Sequence, residues 1–494
     1  MPGNAEAVAD RPPSSLTEVR AARGVEIARR THPAWQVRPG RQRREILGRL
    51  RALLAARGLE LAQLAAAPSR AEALSAQIIP LAEACRFLER RGAKLLAPRR
   101  ERRGRPLWLS GCTLTIQREP FGVVLVIAPG NYPVLLPGVQ TLQALAAGNA
   151  VVLKPGQGGG SAARWLARNL GEAGLPQGLL TVLDEAPEAA REAINSGVDK
   201  VLLTGSNDTG RELLAALAPD LVPGVLELSG CDPVLVGDDA DLELTAAALA
   251  FGLRLNGGAT CIAPRRVLVA PGIKRLLEAR LAALARELPG VTVNPDTAAR
   301  VHQLVLKALD QGARLLAGSL EPSPTLKPLV LTDVPPRAEL LGVDLMAPVL
   351  SLLEAQGEQA LELAADGPYA LGATIFSRDV RAAQTLAARL PAGLVIINDM
   401  IVPSADPRLP FAGRRMSGYG VTRGAEGLLE LTRPKAVVTR RGGRPRHLAP
   451  PLAGDEALFS SYLAVSHGRG RRLGALLDLF RALLVRIGQE RQSI

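Results

Sequence analysis

Aromatic residues make up only 3% of this 494-residue chain, and cysteine and histidine are scarcer still, at four each. Proteins that stack nucleic-acid bases interleave aromatics with basic residues, and no stretch here does so, which argues against a nucleic-acid partner. The cysteines (Cys85, Cys112, Cys231 and Cys261) lie far apart, with no C-x-x-C and no histidine at ligand spacing. Neither a disulfide framework nor a metal site is expected, and a reducing cytoplasm fits best. Long apolar runs are missing too. No stretch reaches the roughly 18 uninterrupted apolar residues that a membrane span needs. The opening "MPGNAEAVADRPPSS" lacks the charged-then-apolar order of a signal peptide.

Lysine is the remaining scarcity. Only seven of the sixty basic residues are lysine, although net charge is +13. Uniform enrichment in arginine, alanine and leucine reads as a coding bias, so the positive balance says little about partners. At 47% hydrophobic and 22% charged residues, the composition is that of an ordinary globular protein. The length predicts two or three domains.

Residues 1–13 read as a disordered leader. Ser15 and Glu18 have capping-box spacing, and helical patterning then runs to about residue 98. "APRRERRGRP" breaks that run, and "LWLSGCTLTIQREP" reads as a strand pair or an extended arm. From residue 121 short apolar runs such as "FGVVLVIAP", "AVVLKP", "LLTVLD" and "KVLLTG" alternate with helical stretches. The alternation restarts after 230 with "PVLVG", "RRVLVA", "LKPLVL", "GATIFS" and "GLVIIN". Strands that are continuously apolar and separated by helices predict parallel sheets covered on both faces. The expected fold class is α/β, with two successive parallel-sheet units. After about 440 a Pro/Gly/Arg linker leads to "RRLGALLDLFRALLVRIGQER", where Leu473, Leu476, Leu477, Phe480, Leu484 and Ile487 fall on one helical face between Arg471, Arg472, Asp478, Arg481 and Arg486. This amphipathic basic helix either docks on the protein itself or meets a membrane surface or partner.

Five short segments carry residue types suited to chemistry. "NGGATCIAP" places Cys261 after a glycine-rich loop, as a nucleophile or as a small buried apolar residue. In "APGNYP" Asn131 follows a strand, and in "LKPG" Lys154 ends one; ligands of open α/β sheets bind at such ends. Asn131 offers an amide to a developing oxyanion, or serves only as a turn residue. Lys154 offers a cation to a ribose or phosphate, or is simply solvated. "TGSNDTG" joins strand to helix through Gly205, Ser206 and Gly210, a turn through which phosphate can approach backbone amides. "GVLELSG" sets Glu227 between two leucines, where burial would raise its pKa toward that of a general base, unless the strand faces solvent there.

Taken together and in this order, these segments resemble the aldehyde dehydrogenase superfamily over about residues 14–440. "LNGGATCIAP" and "IINDMIVPSADPRLPFAGRRMSGYG" look most like its class 3 and fatty-aldehyde branch. The resemblance implies two Rossmann-like domains: an NAD(P)-binding domain (14–103 and 121–227) and a thiol domain (228–403). It further implies an oligomerisation arm (104–120 and 404–440) that makes a homodimer, with 441–494 as an extension. By the same resemblance Cys261 attacks the aldehyde, and Asn131 with the Cys261 N–H holds the oxyanion. Glu227 activates the water that hydrolyses the thioester, and NAD or NADP binds through Lys154, Gln157, Gly205, Ser206 and Gly210.

Several positions depart from the family pattern. Gly130 replaces a tryptophan, Ala259 a glutamine, and Gln157 the glutamate that binds the adenosine ribose. The motif at the nicotinamide ribose reads Asp344-Leu345-Met346-Ala347-Pro348, and the P-F-G-G segment reads Pro410-Phe411-Ala412-Gly413. Losing the negative charge at Gln157 opens the site to the 2′-phosphate of NADP. The expected activity is oxidation of an aldehyde to its acid. The alternatives are a CoA-acylating relative, against which Glu227 argues, and a catalytically weak binding protein, for which Asp344 and Met346 argue.

Overall fold

The computed structural model describes residues 16–492, apart from 102, 107, 108, 110, 322, 324, 443–447, 449, 470 and 471. The expected leader, Ser15 of the capping box, residues 443–447 and 449 of the basic linker and Arg471 lie outside the described residues. The chain divides into two compact units, residues 1–99 with 116–435 and residues 100–115 with 436–494.

Within the first unit, five of the apolar runs become strands: β1 (Val123–Ile127), β2 (Ala150–Lys154), β3 (Leu180–Val182), β4 (Lys200–Thr204) and β5 (Gly224–Glu227). Every residue of β1, β2 and β4 is buried. That explains why these runs are continuous in sequence: a sheet covered on both faces has no polar face to alternate with. The five lie in the order β3-β2-β1-β4-β5, all parallel. This is the order of a dinucleotide-binding sheet, with its crevice where the order reverses beside β1. Helices α1 (Leu135–Ala147), α2 (Gly160–Glu172), α3 (Pro187–Asn195) and α4 (Asn207–Leu217) make the crossovers. The N-terminal helices (Leu16–Gln36, Gly40–Leu64 and the run from Arg70 to Leu96) bury Val25, Leu50, Leu54 and Leu81 in the same core.

A second sheet follows, with β6 (Asp232–Val236), β7 (Pro264–Val269), β8 (Arg314–Ala317), β9 (Leu329–Thr332), β10 (Val349–Glu354), β11 (Gly372–Phe376) and β12 (Leu394–Ile397). Its order is β8-β9-β10-β7-β6-β11-β12, and only β8 runs antiparallel to its neighbour. Helix α5 (Leu242–Arg254) leads from β6 into the Cys261 loop. The α/β class and the two successive parallel sheets therefore stand as the alternation predicts.

Residues 404–423, expected in the arm, fall in the first unit. Here β13 (Gly418–Tyr419) pairs antiparallel with β5, Gly418 opposite Glu227. The close approach needs glycine: a Cβ at Gly418, whose φ is +96°, would lie 2.0 Å from the Leu226 carbonyl oxygen. The signal that β5 has a further neighbour is a two-residue strand, too short to register as a period.

In the second unit, helices α6 (Asp455–His467) and α7 (Arg472–Gln492) pack against each other and share a buried Arg486–Asp455 ion pair. The sequence reading has one helix here, and α6 is the addition. Asp455 and Glu456 mark its first turn but lie at the end of a Pro/Gly/Arg stretch. On α7 the buried positions are Ala482 and Arg486, whereas Leu473, Leu476, Leu477, Phe480 and Leu484 are all exposed, Leu473 at 79%. The predicted apolar stripe is thus not the face that meets α6.

Candidate active site

A cavity of about 570 Å³ opens beside Cys261, lined by Tyr132, Leu135, Leu136, Phe251, Ile262, Ile401 and Phe411, with Glu72, Arg254 and Arg423 as its charged members. Cys261 reaches it from a turn after the 3₁₀ segment Leu255–Gly258, in which Asn256 is left-handed at φ +50°. Two more left-handed residues that are not glycine, Ile401 at φ +58° and Arg423 at φ +61°, line the same cavity. Such backbone costs on the order of 1–3 kcal/mol each and persists where surrounding structure fixes it, commonly around sites.

Asn131 follows β1 and reaches the cysteine loop. Its side-chain amide donates to the Ala259 carbonyl at 2.8 Å, two residues before Cys261. Asn256 fastens the same junction, donating to the carbonyls of Asn131 at 2.9 Å and Ala259 at 3.2 Å. Both loops are braced by a segment for which the sequence gave no motif. Glu72 accepts from the Asn256 N–H at 2.6 Å, and Gln77, within a π-helical turn over Leu74–Ile78, accepts from the Val134 N–H at 3.0 Å at the start of α1. π turns inside helices are frequent at functional sites.

Glu227 ends β5 and is 3% exposed. Its Oε2 accepts from the Thr422 hydroxyl at 2.8 Å, while among the described residues its buried Oε1 has no hydrogen-bond partner. Burial lifts its carboxyl above the ordinary carboxylate range, against the opposing pull of Arg423 and the Thr422 hydroxyl. The Cys261 thiol is pushed up as well, by burial first and then by the charges of Glu227 and Asp232, with Arg423 pulling it down. Arg423 is therefore the cation common to both groups. Its guanidinium stacks 4.5 Å from the Phe411 ring centroid and donates to the Ser404 carbonyl at 2.7 Å. Thr422 and Arg423 both escaped the sequence reading, because neither stands in a run or spacing that singles it out.

Asp344 lies in the same neighbourhood, its side chain 3% exposed and 3.5 Å from Arg265. Burial raises its carboxyl, and Arg265 opposes that rise. Among the described residues its Oδ2 has no hydrogen-bond partner, while Oδ1 accepts from the Met346 N–H at 3.1 Å, and Gly230 and Ser229 also favour its charged form. Met346 adopts φ +47°. Arg265 ties this loop to the thiol loop, donating to the Ala347 carbonyl at 2.6 Å and the Gly258 carbonyl at 2.7 Å.

The remaining predicted residues gather at the carboxyl edge of the first sheet. Lys154 closes β2 and is 8% exposed, and burial lowers its ammonium, with Glu185 and Glu188 opposing. Gln157 is exposed on the loop that follows. Gly205 and Ser206 follow β4, where the Ser206 hydroxyl accepts from the Thr209 N–H at 3.2 Å and caps α4, and Gly210 is buried one turn in. A reversed strand order, a capped helix start, a buried lysine and two unpartnered carboxylate oxygens together fit a dinucleotide laid across these strand ends.

Comparison with known proteins agrees with this arrangement. The family model described as "Aldehyde dehydrogenase family" matches residues 1–437. The chain is 32% identical to 4,4'-diapolycopene aldehyde oxidase of Methylomonas sp over 443 residues, covering 85% of this chain and 83% of that one. It is 35% identical to vanillin dehydrogenase of Pseudomonas fluorescens over 347 residues, covering 67% and 71%. Its fold matches the NAD+ complex of an aldehyde dehydrogenase from Bacillus cereus with a TM-score of 0.80, at 27% identity and 86% and 89% coverage. The chain belongs to the aldehyde dehydrogenase family, enzymes that oxidise an aldehyde to its carboxylic acid with NAD(P)+.

Proposed function

We propose that Cys261 is the nucleophile, that Asn131 with the Cys261 N–H holds the oxyanion, and that Glu227 is the general base. The observation that carries this reading is the buried Glu227 carboxylate, electrostatically coupled to the Cys261 thiol, with one oxygen left unpartnered. A carboxylate whose pKa is raised by burial is a better proton acceptor than one in water. It takes the thiol proton, the thiolate adds to the aldehyde carbon, and negative charge grows on the former carbonyl oxygen. Asn131, already pinned to the thiol loop, needs only a small shift of its amide to donate there. When bound, NAD(P)+ supplies the electron acceptor that turns the thiohemiacetal into a thioester. Lys154, Gln157, Gly205, Ser206, Gly210, Asp344 and Met346 are the residues assigned to hold it. Once Glu227 has passed the thiol proton on to solvent, it removes a proton from the water that attacks the thioester; the C–S bond breaks, the Cys261 thiolate is restored and the acid leaves.

The substrate assigned is an apolar aldehyde, aromatic or long-chain. The cavity walls are mostly apolar or aromatic, and the two named relatives carry the names of apolar aldehydes. The motif "LNGGATCIAP" supports placing the chain with the class 3 and fatty-aldehyde branch. The test is reduction of NAD(P)+ by purified protein with benzaldehyde and a medium-chain aldehyde. Cys261→Ala abolishes it. Glu227→Gln permits a single burst of reduced cofactor and then falls at least about a hundredfold in steady rate, the usual worth of a general base. Undiminished steady turnover would remove Glu227 from the mechanism.

One observation favours a second property, peripheral attachment of a cytoplasmic enzyme to a membrane. The α7 stripe stands exposed, Phe480 at 60%, and Phe459 and Leu463 of α6 are exposed as well. Among the described residues no helix is long and apolar enough to cross a bilayer, so contact would be interfacial. Flotation with anionic liposomes should carry the full chain, and Leu476→Ser with Phe480→Ser should leave it behind. Equal flotation of both sinks this reading. A homodimer is assigned to the strand Thr432–Arg440, the edge of a three-stranded sheet, whose exposed length offers unpaired backbone groups to a second copy.

A further inference from the structure

Glu185 stands three residues beyond β3, at the carboxyl edge where β3 pairs with β2. Both of its carboxylate oxygens are seated on backbone. Oε2 accepts from the Gly158 N–H at 2.7 Å and Oε1 from the Gly160 N–H at 2.8 Å. Those donors belong to the loop that follows Lys154 and to the first turn of α2, where unpaired N–H groups and the helix dipole favour negative charge. The seat depends on glycine, since a Cβ at Gly160 would lie 2.6 Å from Glu185 Oε1. The two N–H groups hold the carboxyl below the usual carboxylate range. Lys154, buried one strand away, senses this charge. Among the described residues no hydrogen bond or ion pair fixes the Lys154 ammonium, which leaves it available to a ligand at this edge.

The sequence reading treats Gln157 as the loss of a negative charge that would open this loop to a 2′-phosphate. The fold returns a carboxylate to the same loop from the next strand. A 2′-phosphate arriving beside Lys154 would find the helix-start N–H groups occupied and a like charge in its place. A ribose 2′-hydroxyl would find an acceptor. A carboxylate at a strand end is how parallel-sheet dinucleotide sites recognise the unphosphorylated ribose.

We propose that Glu185 sets cofactor choice in this enzyme, selecting NAD+ and rejecting NADP+. The proposal rests on the reading that the Lys154 loop receives the adenosine ribose. It is tested by equilibrium binding of each dinucleotide to the full chain by titration calorimetry, without substrate, for wild type, Glu185→Gln and Glu185→Ser. Wild type should bind NAD+ at least tenfold more tightly than NADP+. Both variants should narrow that ratio at least fivefold, chiefly by tightening NADP+. Equal or tighter binding of NADP+ by wild type overturns the proposal and needs no variant. An unchanged ratio in variants that still bind NAD+ overturns it as well. If wild type binds neither dinucleotide, the ribose reading itself falls, and the proposal with it.

Discussion

Removing Arg265 should be among the most damaging single changes near the site, and the reason is visible in its contacts. The guanidinium is 6% exposed, lies 3.5 Å from the Asp344 carboxylate and donates to two carbonyls, Gly258 before the thiol and Ala347 after Met346. Arg265→Met keeps the bulk of the stem but strands one buried carboxylate and two buried carbonyl oxygens. Breaking a buried ion pair by deleting one partner costs roughly 3–5 kcal/mol, and each carbonyl left dry costs roughly 1–3 kcal/mol more. These terms overlap, because Asp344 sheds its charge by taking a proton; about 5 kcal/mol is the working figure. Against a total stability of about 5–15 kcal/mol, that lowers the melting temperature by about 5 °C in a chain of this length. The loss should also depend on pH. Burial already raises Asp344, and without Arg265 the rise is larger. A carboxyl raised in the native state binds its proton more tightly folded than unfolded, so the variant loses stability as pH increases. Scanning calorimetry should therefore find a larger deficit at pH 8 than at pH 5.5, with Asp344→Asn in the same chain recovering about half. A deficit under 2 °C, or one that does not change with pH, would refute the reasoning.

Arg423→Leu removes the cation that pulls both Cys261 and Glu227 downward. The thiol then rises further, and its alkylation by iodoacetamide at pH 8 should slow; an unchanged rate would deny Arg423 its electrostatic role. Asp232, buried in β6, is held up to about 7 by burial, against an ordinary 3.8. Its contribution to stability is present below the ordinary value and lost as pH rises through about 7. Denaturant titrations of Asp232→Asn should accordingly gain on wild type between pH 4 and pH 8, and a constant difference across that range would contradict the assignment.

Much of this was legible before any fold was known, for physical reasons that differ by element. Strands such as Val123–Ile127 announce themselves because both sheet faces are covered. Cys261, Glu227, Asn131 and Lys154 stood out because each is a reactive type at a strand end or glycine turn. The cavity's supports stayed hidden because they act across the chain. Glu72 meets the Asn256 N–H from 184 positions away, and Thr422 meets Glu227 from 195. Gln157 shows a related limit: the vacated charge is visible in sequence, whereas the approach of Glu185 to the same loop exists only once β2 and β3 lie side by side. The C-terminal helix forms where its apolar repeat lies, but its buried positions are Ala482 and Arg486 rather than that repeat, and only its packing on α6 shows which face stays open.

The late return of residues 411–423 to the first sheet has a consequence for how the enzyme comes into being. The proposed nucleophile, Cys261, is synthesised near the midpoint of the chain, and the proposed base, Glu227, earlier still, at the end of β5. Yet the hydroxyl that orients the base, the cation that tempers both groups and the strand beside Glu227 all come from residues 418–423. Domains fold broadly in the order they emerge. A growing chain would therefore carry its thiol beside an unrestrained carboxylate until about five-sixths of its length has been made. Reactivity arrives as one of the last acts of folding, when no part of the sheet that must hold it remains to be built.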